Sequence, residues 1–358
     1  MRVLYDYQAF LQRQGGVSRY FAELLEALRG IRGFEAHLPF FYSDNEYLPG
    51  KSFLTRAHFK GKERLMDSVN QMFARHALKS DFDVFHPTYF RPYFLGRLKR
   101  PLVITIHDMV HEQFSADLIR DDGTIGNKKL LCERASRIIA VSENTKNDVC
   151  RLLGVPEQRV VVVHHATKMR YLAEPRIHER PYVLYVGARS GYKNFPVFLH
   201  AAAAVLRRRE MDLLCAGGGE FTRAEKESIR SVGLEESVRH VGRLTSGELA
   251  SLYHFASLFC YPSLYEGFGL PLLEAFACGC PVAASSTSSI PEVAGDAAEY
   301  FDPSSTDSMS TAMERVLSDR ERTAELVAAG RKRLLSFSWE ESARKTYQTY
   351  CAALGAER

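Results

Sequence analysis

Short runs of apolar and β-branched residues alternate along the chain with longer stretches whose apolar residues recur every three or four positions. The first pattern is typical of buried strands and the second of helices. The first half predicts the strands RVLYDY, DVFHPTYF, LVITIHD, RIIAVS and VVVVHH. The second half predicts YVLYVGA, MDLLCAGG, VRHVGRL, SLFCYPS, PVAASS and AEYFDP. Such alternation predicts βαβ units with parallel sheets.

Helical spacing is clearest in GGVSRYFAELLEALRG, FPVFLHAAAAVLRRR, GELASLYHF and PLLEAFAC. Residues 166–181 have no clean period and contain two prolines, so they predict a linker. A chain of 358 residues is longer than one core usually supports. We therefore expect an α/β fold with two Rossmann-like domains facing each other across a cleft. Their expected bounds are 1–168 and 169–340, and 341–358 should form a helix that packs back on the first domain.

Composition indicates an ordinary soluble protein, since 46% of the residues are apolar and 25% are charged. The first ten residues, MRVLYDYQAF, lack the apolar run of a signal peptide, and no stretch is apolar enough for a membrane span. The seven cysteines are scattered and odd in number, which argues against a disulfide framework. We therefore expect a cytoplasmic protein.

Positive charge is concentrated between Lys51 and Arg100, where eleven Lys or Arg stand against four Asp or Glu. Within this region, 56–79 mixes basic residues with apolar ones at helical spacing. One interpretation is a core-facing helix with a solvated basic side. The other is a peripheral contact with an anionic membrane surface. Nucleic acid is not favoured, because no recognition module accompanies the charge.

Ligands of open α/β sheets bind beyond the carboxyl ends of the strands. Residues directly after the predicted strands are therefore the candidates for a site. In the first half these are Gly15, Gly16, His86, His107, Asp108 and Ser142; in the second half they are 187–193, 217–220, Gly242, Arg243 and Glu266.

Three stretches resemble known metal-binding or dinucleotide-binding motifs but lack the position or spacing that those motifs need. Asp81-Phe82-Asp83 resembles a D-x-D metal motif but precedes its strand, at the wrong end of the sheet. HDMVH begins at a strand end, whereas a zinc-binding H-E-x-x-H needs a helix. GGGE lacks the G-x-G-x-x-G spacing of a dinucleotide loop, so hydride transfer is poorly supported. We predict no metal site.

Two glycine-containing loops fit phosphate groups better. GARSGYKNF, 187–195, ends a strand and brings Arg189 and Lys193 to the start of a helix, where backbone N–H groups and two cations would suit a diphosphate. QGGVSR, 14–19, carries Gly15 and Gly16 into a helix in the same way. The alternative interpretation is a pair of surface cations in one loop and an ordinary glycine turn in the other.

The stretch YEGFGLPLLEAFACGCPVAAS, 265–285, combines an apolar helix with two carboxylates. Pro271 suits the first helical turn, and Gly279 followed by Pro281 ends the helix. Glu266 is then in the preceding loop and Glu274 is one turn into the helix. Carboxylates accept hydrogen bonds from vicinal hydroxyls, so Glu266 could bind a sugar and Glu274 a ribose of one extended nucleotide sugar.

At these residues the sequence resembles the family-4 retaining glycosyltransferases of the GT-B fold. EGFGLPLLE matches their E-x7-E signature, and the surrounding 260–303 matches over its length. GGVSR, TIHD, AVSENT, YVGARSGYKN and FSWEESARKTYQTY extend the resemblance to nearly the whole chain, except about 40–80. The family commonly places Arg directly after Gly in its phosphate loop, whereas Ala188 intervenes here.

The resemblance implies a role for each matching residue. Glu266 would hold the donor sugar, Glu274 the ribose, and His107 would lie near the anomeric centre. Arg189 and Lys193 would neutralise the leaving diphosphate in place of a metal. The other predicted donor-binding residues are Gly15, Gly16, Arg243, Gly267, Phe268, Gly269 and Leu270.

The implied function is retaining transfer of a hexose from a nucleotide-diphosphate sugar to a saccharide or lipid-linked saccharide acceptor in surface polysaccharide synthesis. The chain looks most like bacterial mannosyl- or rhamnosyltransferases, which favours a GDP-sugar over a UDP-sugar; no further cofactor is expected. The first domain would serve the acceptor and the second the donor. Two alternatives remain at this point, a nucleotide-sugar epimerase or hydrolase and a non-catalytic nucleotide-sugar binding protein. If the membrane interpretation of the basic segment holds, the contact would be a peripheral one with the inner face of the membrane.

Overall fold

A computed structural model describes residues 1–48, 61–114 and 122–355. The strands are β1 (Arg2–Tyr5), β2 (Glu35–His37), β3 (Val84–His86), β4 (Val103–Ile106), β5 (Arg137–Ala140), β6 (Val160–Val162), β7 (Tyr182–Val186), β8 (Asp212–Ala216), β9 (Val238–His240), β10 (Leu258–Tyr261), β11 (Val282–Ser285) and β12 (Glu299–Phe301). The α-helices are α1 (Gly16–Leu28), α2 (Lys62–Ala77), α3 (Val110–Gln113), α4 (Thr124–Arg134), α5 (Glu143–Leu153), α6 (Phe195–Arg209), α7 (Arg223–Ser231), α8 (Ser246–Phe255), α9 (Leu270–Ala277), α10 (Ile290–Ala294), α11 (Thr306–Ser318), α12 (Arg320–Leu334) and α13 (Trp339–Gly355).

The predicted strands are confirmed, each shorter than its apolar run because the flanking residues turn into loops. Sequence reasoning missed β2, since its three residues, Glu-Ala-His, carry no apolar run and only Ala36 is half-buried. The predicted linker is confirmed as irregular chain, with no helix or strand between 163 and 181.

The described residues form two compact units, one within 1–112, 120–165 and 338–358 and the other within 113–119 and 166–337. In the first unit, strands β2-β1-β3 and β4-β5-β6 form two parallel sheets, and a bridge between Phe85 and Leu102 connects β3 to the start of β4. Helix α13 packs against α1 in this unit, although it comes last in the sequence. The Tyr350 hydroxyl on α13 lies 2.6 Å from the hydroxyl of Tyr5 and 2.7 Å from Nδ1 of His86.

The second unit contains one six-stranded parallel sheet in the order β9-β8-β7-β10-β11-β12. Counted within the unit, this is the order 3-2-1-4-5-6 of dinucleotide-binding folds. The chain runs outward from β7 through β8 to β9 and then returns to β10 on the other side of β7. The strand order therefore reverses between the central strands β7 and β10. The rule for open sheets therefore places a ligand beside the carboxyl ends of β7 and β10.

Helix α2 contains most of the basic segment, and its contact with a membrane stays a prediction. It buries Met66, Ala74 and Ala77, as a core-facing helix should, and it also exposes Leu65, Met72 and Phe73. Residues 56–60 of that segment lie outside the described residues. Within the described ranges, no helix is long and apolar enough to cross a bilayer.

Candidate active site

The loops that follow β7 and β10 meet where the strand order of the second unit reverses. The ammonium of Lys193 lies 2.6 Å from Oε1 of Glu266, and the Leu264 amide donates to the carbonyl of Tyr192 at 2.8 Å. The Lys193 side chain is 18% exposed and that of Glu266 is 11% exposed. The structure thus brings together a cation and a carboxylate predicted for the two ends of one donor.

The loop that carries Glu266 is held by hydrogen bonds to two serines of the segment after β11. The Glu266 amide donates to Ser288 Oγ at 2.9 Å. The buried Ser289 hydroxyl lies 2.8 Å from the carbonyl oxygen of Glu266 and 2.9 Å from that of Phe268. Because N–H and C=O of a trans peptide point in opposite directions, the amides of Gly267 and Gly269 are directed away from Ser289.

Asn194 joins the two loops at the start of α6. It takes the left-handed conformation, with φ of 61°, which asparagine tolerates better than most residues. Its side-chain amide donates to the carbonyls of Pro262 at 3.1 Å and Pro303 at 2.8 Å. This buried link fixes the position of the neighbouring Lys193 relative to the loop after β10.

Glu274 lies on α9, which begins at Leu270 and has Pro271 in its first turn, as predicted. The carboxylate is buried, and the hydroxyl of Tyr253 donates to Oε2 at 3.3 Å. Burial, together with the nearby Glu274 carboxylate, raises the pKa of Tyr253 well above its ordinary value, so the hydroxyl keeps its proton. A ribose contact of Glu274 stays a prediction.

Arg189, for which the resemblance implies a contact with the leaving diphosphate, is surrounded by protein acceptors. Its side chain is 2% exposed, and its guanidinium contacts Glu225 and the carbonyls of the loop 217–220. A direct contact of Arg189 with a diphosphate stays a prediction, and its described donors face protein acceptors. The predicted Arg243 lies exposed in the loop after β9.

The glycines of the first unit lie at the start of α1, as predicted. Gly15 precedes the helix, and its carbonyl accepts from the Arg19 amide at 3.0 Å. Gly16 is exposed, and a Cβ added there would meet no other atom within 4 Å. The start of this helix is therefore open, but a phosphate contact there stays a prediction.

His107 follows β4 and packs among aromatic rings of the first unit. Its ring centroid lies 5.0 Å from that of Tyr20, 5.9 Å from that of Phe21 and 5.8 Å from that of His165. Burial lowers the pKa of His107 to about 4, so the imidazole is neutral near pH 7. Its Nε2 is buried and finds no hydrogen-bond partner in the described part of the chain. Depending on the tautomer, Nε2 of the neutral imidazole could donate a hydrogen bond to a ligand or accept one from it.

The motifs that were set aside have local structural partners. The Arg2 amide donates to Asp83 at 2.7 Å, and the Arg2 guanidinium lies 3.6 Å from Asp81, at the amino end of the sheet. In HDMVH, His107 ends a strand whereas His111 is in α3, so the two do not share a helix. Across residues 1–48, 61–114 and 122–355, no three His, Cys, Asp or Glu side chains are grouped to hold a metal ion.

Sequence reasoning missed the residues that support the loops. Ser288 and Ser289 follow β11, so the rule of strand ends could have selected them. Thr222-x-x-Glu225 could have been recognised as a helix-capping pattern, and both of its hydrogen bonds form. The Arg189 partner of Glu225 is 36 residues away, and no local pattern indicates such a pairing.

Family models and named relatives match both halves of the chain. Residues 171–333 match the family described as Glycosyl transferases group 1, and residues 14–171 match Glycosyltransferase Family 4. O-antigen chain mannosyltransferase B of Escherichia coli is 30% identical over 305 residues, which cover 80% of this chain and 78% of the relative. The MMP alpha-(1->4)-mannosyltransferase of Mycolicibacterium hassiacum is 28% identical over 296 residues, covering 77% of this chain and 72% of the relative.

Solved structures show the same fold over almost the full chain. Sucrose-phosphate synthase from Thermosynechococcus elongatus superposes with a TM-score of 0.78 at 21% identity, covering 98% of each chain. Anabaena Alr3699/HepE in complex with UDP and glucose superposes with a TM-score of 0.74 at 17% identity, covering 97% of this chain and 98% of the other. The expected α/β fold of the GT-B type is thereby confirmed.

Proposed function

The chain belongs to glycosyltransferase family 4, and from that premise we propose that it transfers a hexose, with retention and without a metal ion, from a nucleotide-diphosphate sugar to a saccharide or lipid-linked saccharide. The observation that carries this proposal is the pair of Lys193 and Glu266 beside β7 and β10. A diphosphate at the ammonium and sugar hydroxyls at the carboxylate would replace the contact that each now makes with the other.

The proposed reaction breaks the bond between the anomeric carbon and the diphosphate oxygen. The acceptor hydroxyl oxygen forms its bond on the same face of the sugar, and its proton passes to the departing diphosphate. Negative charge grows on that leaving group, where Lys193 would stabilise it electrostatically. Glu266 would hold the sugar hydroxyls so that the anomeric carbon stays beside the acceptor.

Mannose from GDP-mannose is the favoured donor, because mannosyltransferases recur among the relatives. For the acceptor, the first unit offers a groove of about 1350 Å³. Phe10, Tyr42, Asp44, Asp67 and Arg91 are among the residues that line it. The charged side chains of this groove suit a saccharide, whose hydroxyls need hydrogen-bond partners. The product would then be an extended surface polysaccharide.

Transfer can be tested with purified protein, GDP-mannose or UDP-glucose, and a mannose-terminated oligosaccharide. Mass spectrometry should detect an acceptor that is heavier by one hexose, and proton NMR should show that the new linkage keeps the donor's anomeric configuration. Activity should persist in EDTA. An inverted linkage would refute retention, and loss of activity in EDTA that manganese restores would refute metal independence.

A peripheral membrane contact is the further part of this proposal. Leu65, Met72 and Phe73 are exposed on α2. Met72 lines a surface depression together with Arg75, His76, Lys79 and Arg97. Liposomes of neutral lipid and liposomes with anionic lipid separate this contact from a merely solvated face. Co-sedimentation with the anionic vesicles should fall as salt rises, and equal binding to both at all salt concentrations would contradict it.

A further inference from the structure

The guanidinium of Arg189 is bound on several sides by its own protein. Nε donates to Oε1 of Glu225 at 2.7 Å, and Nη1 donates to the carbonyl of Gly217 at 2.8 Å. Nη2 lies 2.7 Å from the carbonyl oxygen of Gly219 and 3.1 Å from that of Glu220. Because a guanidinium has five N–H donors in a fixed plane, this set of acceptors uses most of its capacity.

The charge of Arg189 is also compensated and covered. Glu225 supplies the opposite charge and is itself fixed by a capping box, in which the Thr222 amide donates to its Oε2 at 2.7 Å. The ring of Phe221 lies against the guanidinium, with 4.6 Å between its centroid and Cζ. Moving Glu225 away would leave the enclosed charge of Arg189 without its counter-charge, which is costly. Arg189 is therefore a poor candidate for a cation that leaves its partners to bind a ligand.

The loop that Arg189 holds has an unusual backbone. Gly217, Gly218 and Gly219 have φ of 84°, 72° and 73°, a conformation that side chains rarely adopt. Their carbonyls converge on the guanidinium, so the N–H groups on the far side of the same peptides point away from it. Residues 217–220 are exposed, and no acceptor faces the amides of Gly218, Glu220 and Phe221 in the described part of the chain.

Such amides are suited to an anion, because they present N–H dipoles without an internal acceptor on the exposed side of the loop, away from Arg189. The loop follows β8, the strand next to β7, and packs closely on the loop after β7. A Cβ added to Gly218 would lie 2.8 Å from Nη1 of Arg189 and 3.0 Å from the carbonyl oxygen of Gly187. Both loops therefore lie at the carboxyl edge of the sheet that also carries Lys193.

We propose that Arg189 is a positioning residue: together with Glu225 it turns the amides of the loop 217–220 toward the diphosphate of the donor, and it is not itself a phosphate ligand. The inference rests on the proposed function, since it takes the nucleotide sugar as the ligand of this edge. Lys193 then supplies the positive charge, and the loop 217–220 supplies neutral hydrogen-bond donors. Ala188 separates Gly187 from Arg189, whereas the family commonly places Arg directly after Gly. This difference in spacing is consistent with a different role for Arg189.

Calorimetry with GDP and with guanosine tests the proposal in the full-length protein, with UDP and uridine as the second pair. Arg189→Lys keeps the charge but loses the planar set of donors, and Glu225→Gln keeps the size of the partner but removes its charge. Each variant should weaken GDP about tenfold or more, as for a lost hydrogen bond to a charged group. Guanosine should change less than about threefold, because it has no phosphate for the loop to bind.

A direct phosphate ligand would give the opposite pattern. Glu225→Gln would then leave GDP binding unchanged or make it tighter, because it releases the guanidinium. That result overturns the proposal. The double variant adds a further check, since residues that act as one unit should lose little more together than the worse single variant.

Glu248→Gln is the matched control, because Glu248 forms the same capping box with Thr245 on α8 but is not a partner of Arg189. It should leave the GDP affinity unchanged; a tenfold loss would show that weakened capping alone explains the Glu225 result. If Arg189→Lys does not fold, Gly218→Ala displaces the loop without changing charge and should weaken GDP selectively. Wild-type protein that binds GDP in this pattern but transfers no sugar would refute the proposed function alone. Protein that binds none of these ligands would refute both.

Discussion

Each unit has a lysine–glutamate pair just beyond the strands of a parallel sheet, and the two pairs differ in their surroundings. Lys193 and Glu266 of the second unit lie 2.6 Å apart with side chains 18% and 11% exposed. Lys128 and Glu112 of the first unit lie 3.1 Å apart with side chains 2% and 5% exposed. The residue types are the same, so burial and the remaining contacts must decide what each pair does.

The buried pair has the contacts of a scaffold. Lys128 also donates to the carbonyl of Asp108 at 3.0 Å, and its ammonium lies 5.4 Å from the ring centroid of Phe90. It thereby ties α4 to the segment that begins at His107. Lys193 lies near solvent, over the rings of Tyr192 and Tyr261, on the loop edge of its sheet. A partly exposed pair can exchange its internal contact for a ligand at a smaller cost than a buried pair can.

The largest expected effect is on stability at the buried pair. Lys128→Met should lower the free energy of unfolding by about 3–5 kcal/mol, because Glu112 would remain buried without a counter-charge. Urea unfolding measures this loss, and Lys128→Met combined with Glu112→Leu should recover part of it. A Lys128→Met protein as stable as wild type would remove the distinction between the two pairs.

Lys193→Gln should show the reverse pattern. Loss of one electrostatic donor to the leaving diphosphate should reduce kcat by about a hundred- to a thousandfold. The free energy of unfolding should change by only about 1 kcal/mol or less, as for a partly exposed ion pair. Steady-state kinetics and urea unfolding on the same preparation decide the matter. Wild-type turnover, or a stability loss as large as that of Lys128→Met, would contradict the assignment.

A smaller effect is expected from the buried imidazoles of the first unit. Burial lowers the pKa of His86 to about 3 and of His107 to about 4, and that of His165 lies well below its ordinary value. The unfolded chain takes up these protons near pH 6.5, so stability present above that pH is lost as the pH falls toward 4. The loss should approach about 1.4 kcal/mol per pH unit for each histidine. His107→Gln should make the free energy of unfolding less dependent on pH between pH 6.5 and 5, by up to about 1.4 kcal/mol per pH unit, the contribution of one proton. An unchanged slope would refute a depressed pKa.

Every strand except β2, and the main loops, could be predicted from the sequence, because they depend on local patterns. Apolar runs gave the strands, and Pro271 with Gly279 gave the bounds of α9. The environment of a charge could not be predicted in this way. Arg189 and Lys193 are four residues apart in one loop, yet one is enclosed by carbonyls from 217–220 and the other reaches Glu266. Those partners depend on the order of strands in the sheet, which brings together segments distant in sequence.

The central claim, that Glu266 and Glu274 bind different parts of one nucleotide sugar, is tested most directly by calorimetry with the bare nucleoside diphosphate. Glu274→Gln should weaken GDP by about ten- to a hundredfold, because a hydrogen bond between the ribose and a charged group is lost. Glu266→Gln should leave GDP affinity nearly unchanged while it sharply lowers turnover, because GDP lacks the sugar. The melting temperatures of both variants are measured first, because Glu274 also accepts from Tyr253 and a disturbed fold would by itself weaken GDP binding. Both should equal that of wild type. Equal and wild-type GDP affinity in both folded variants, or an equally large loss in both, would contradict the account.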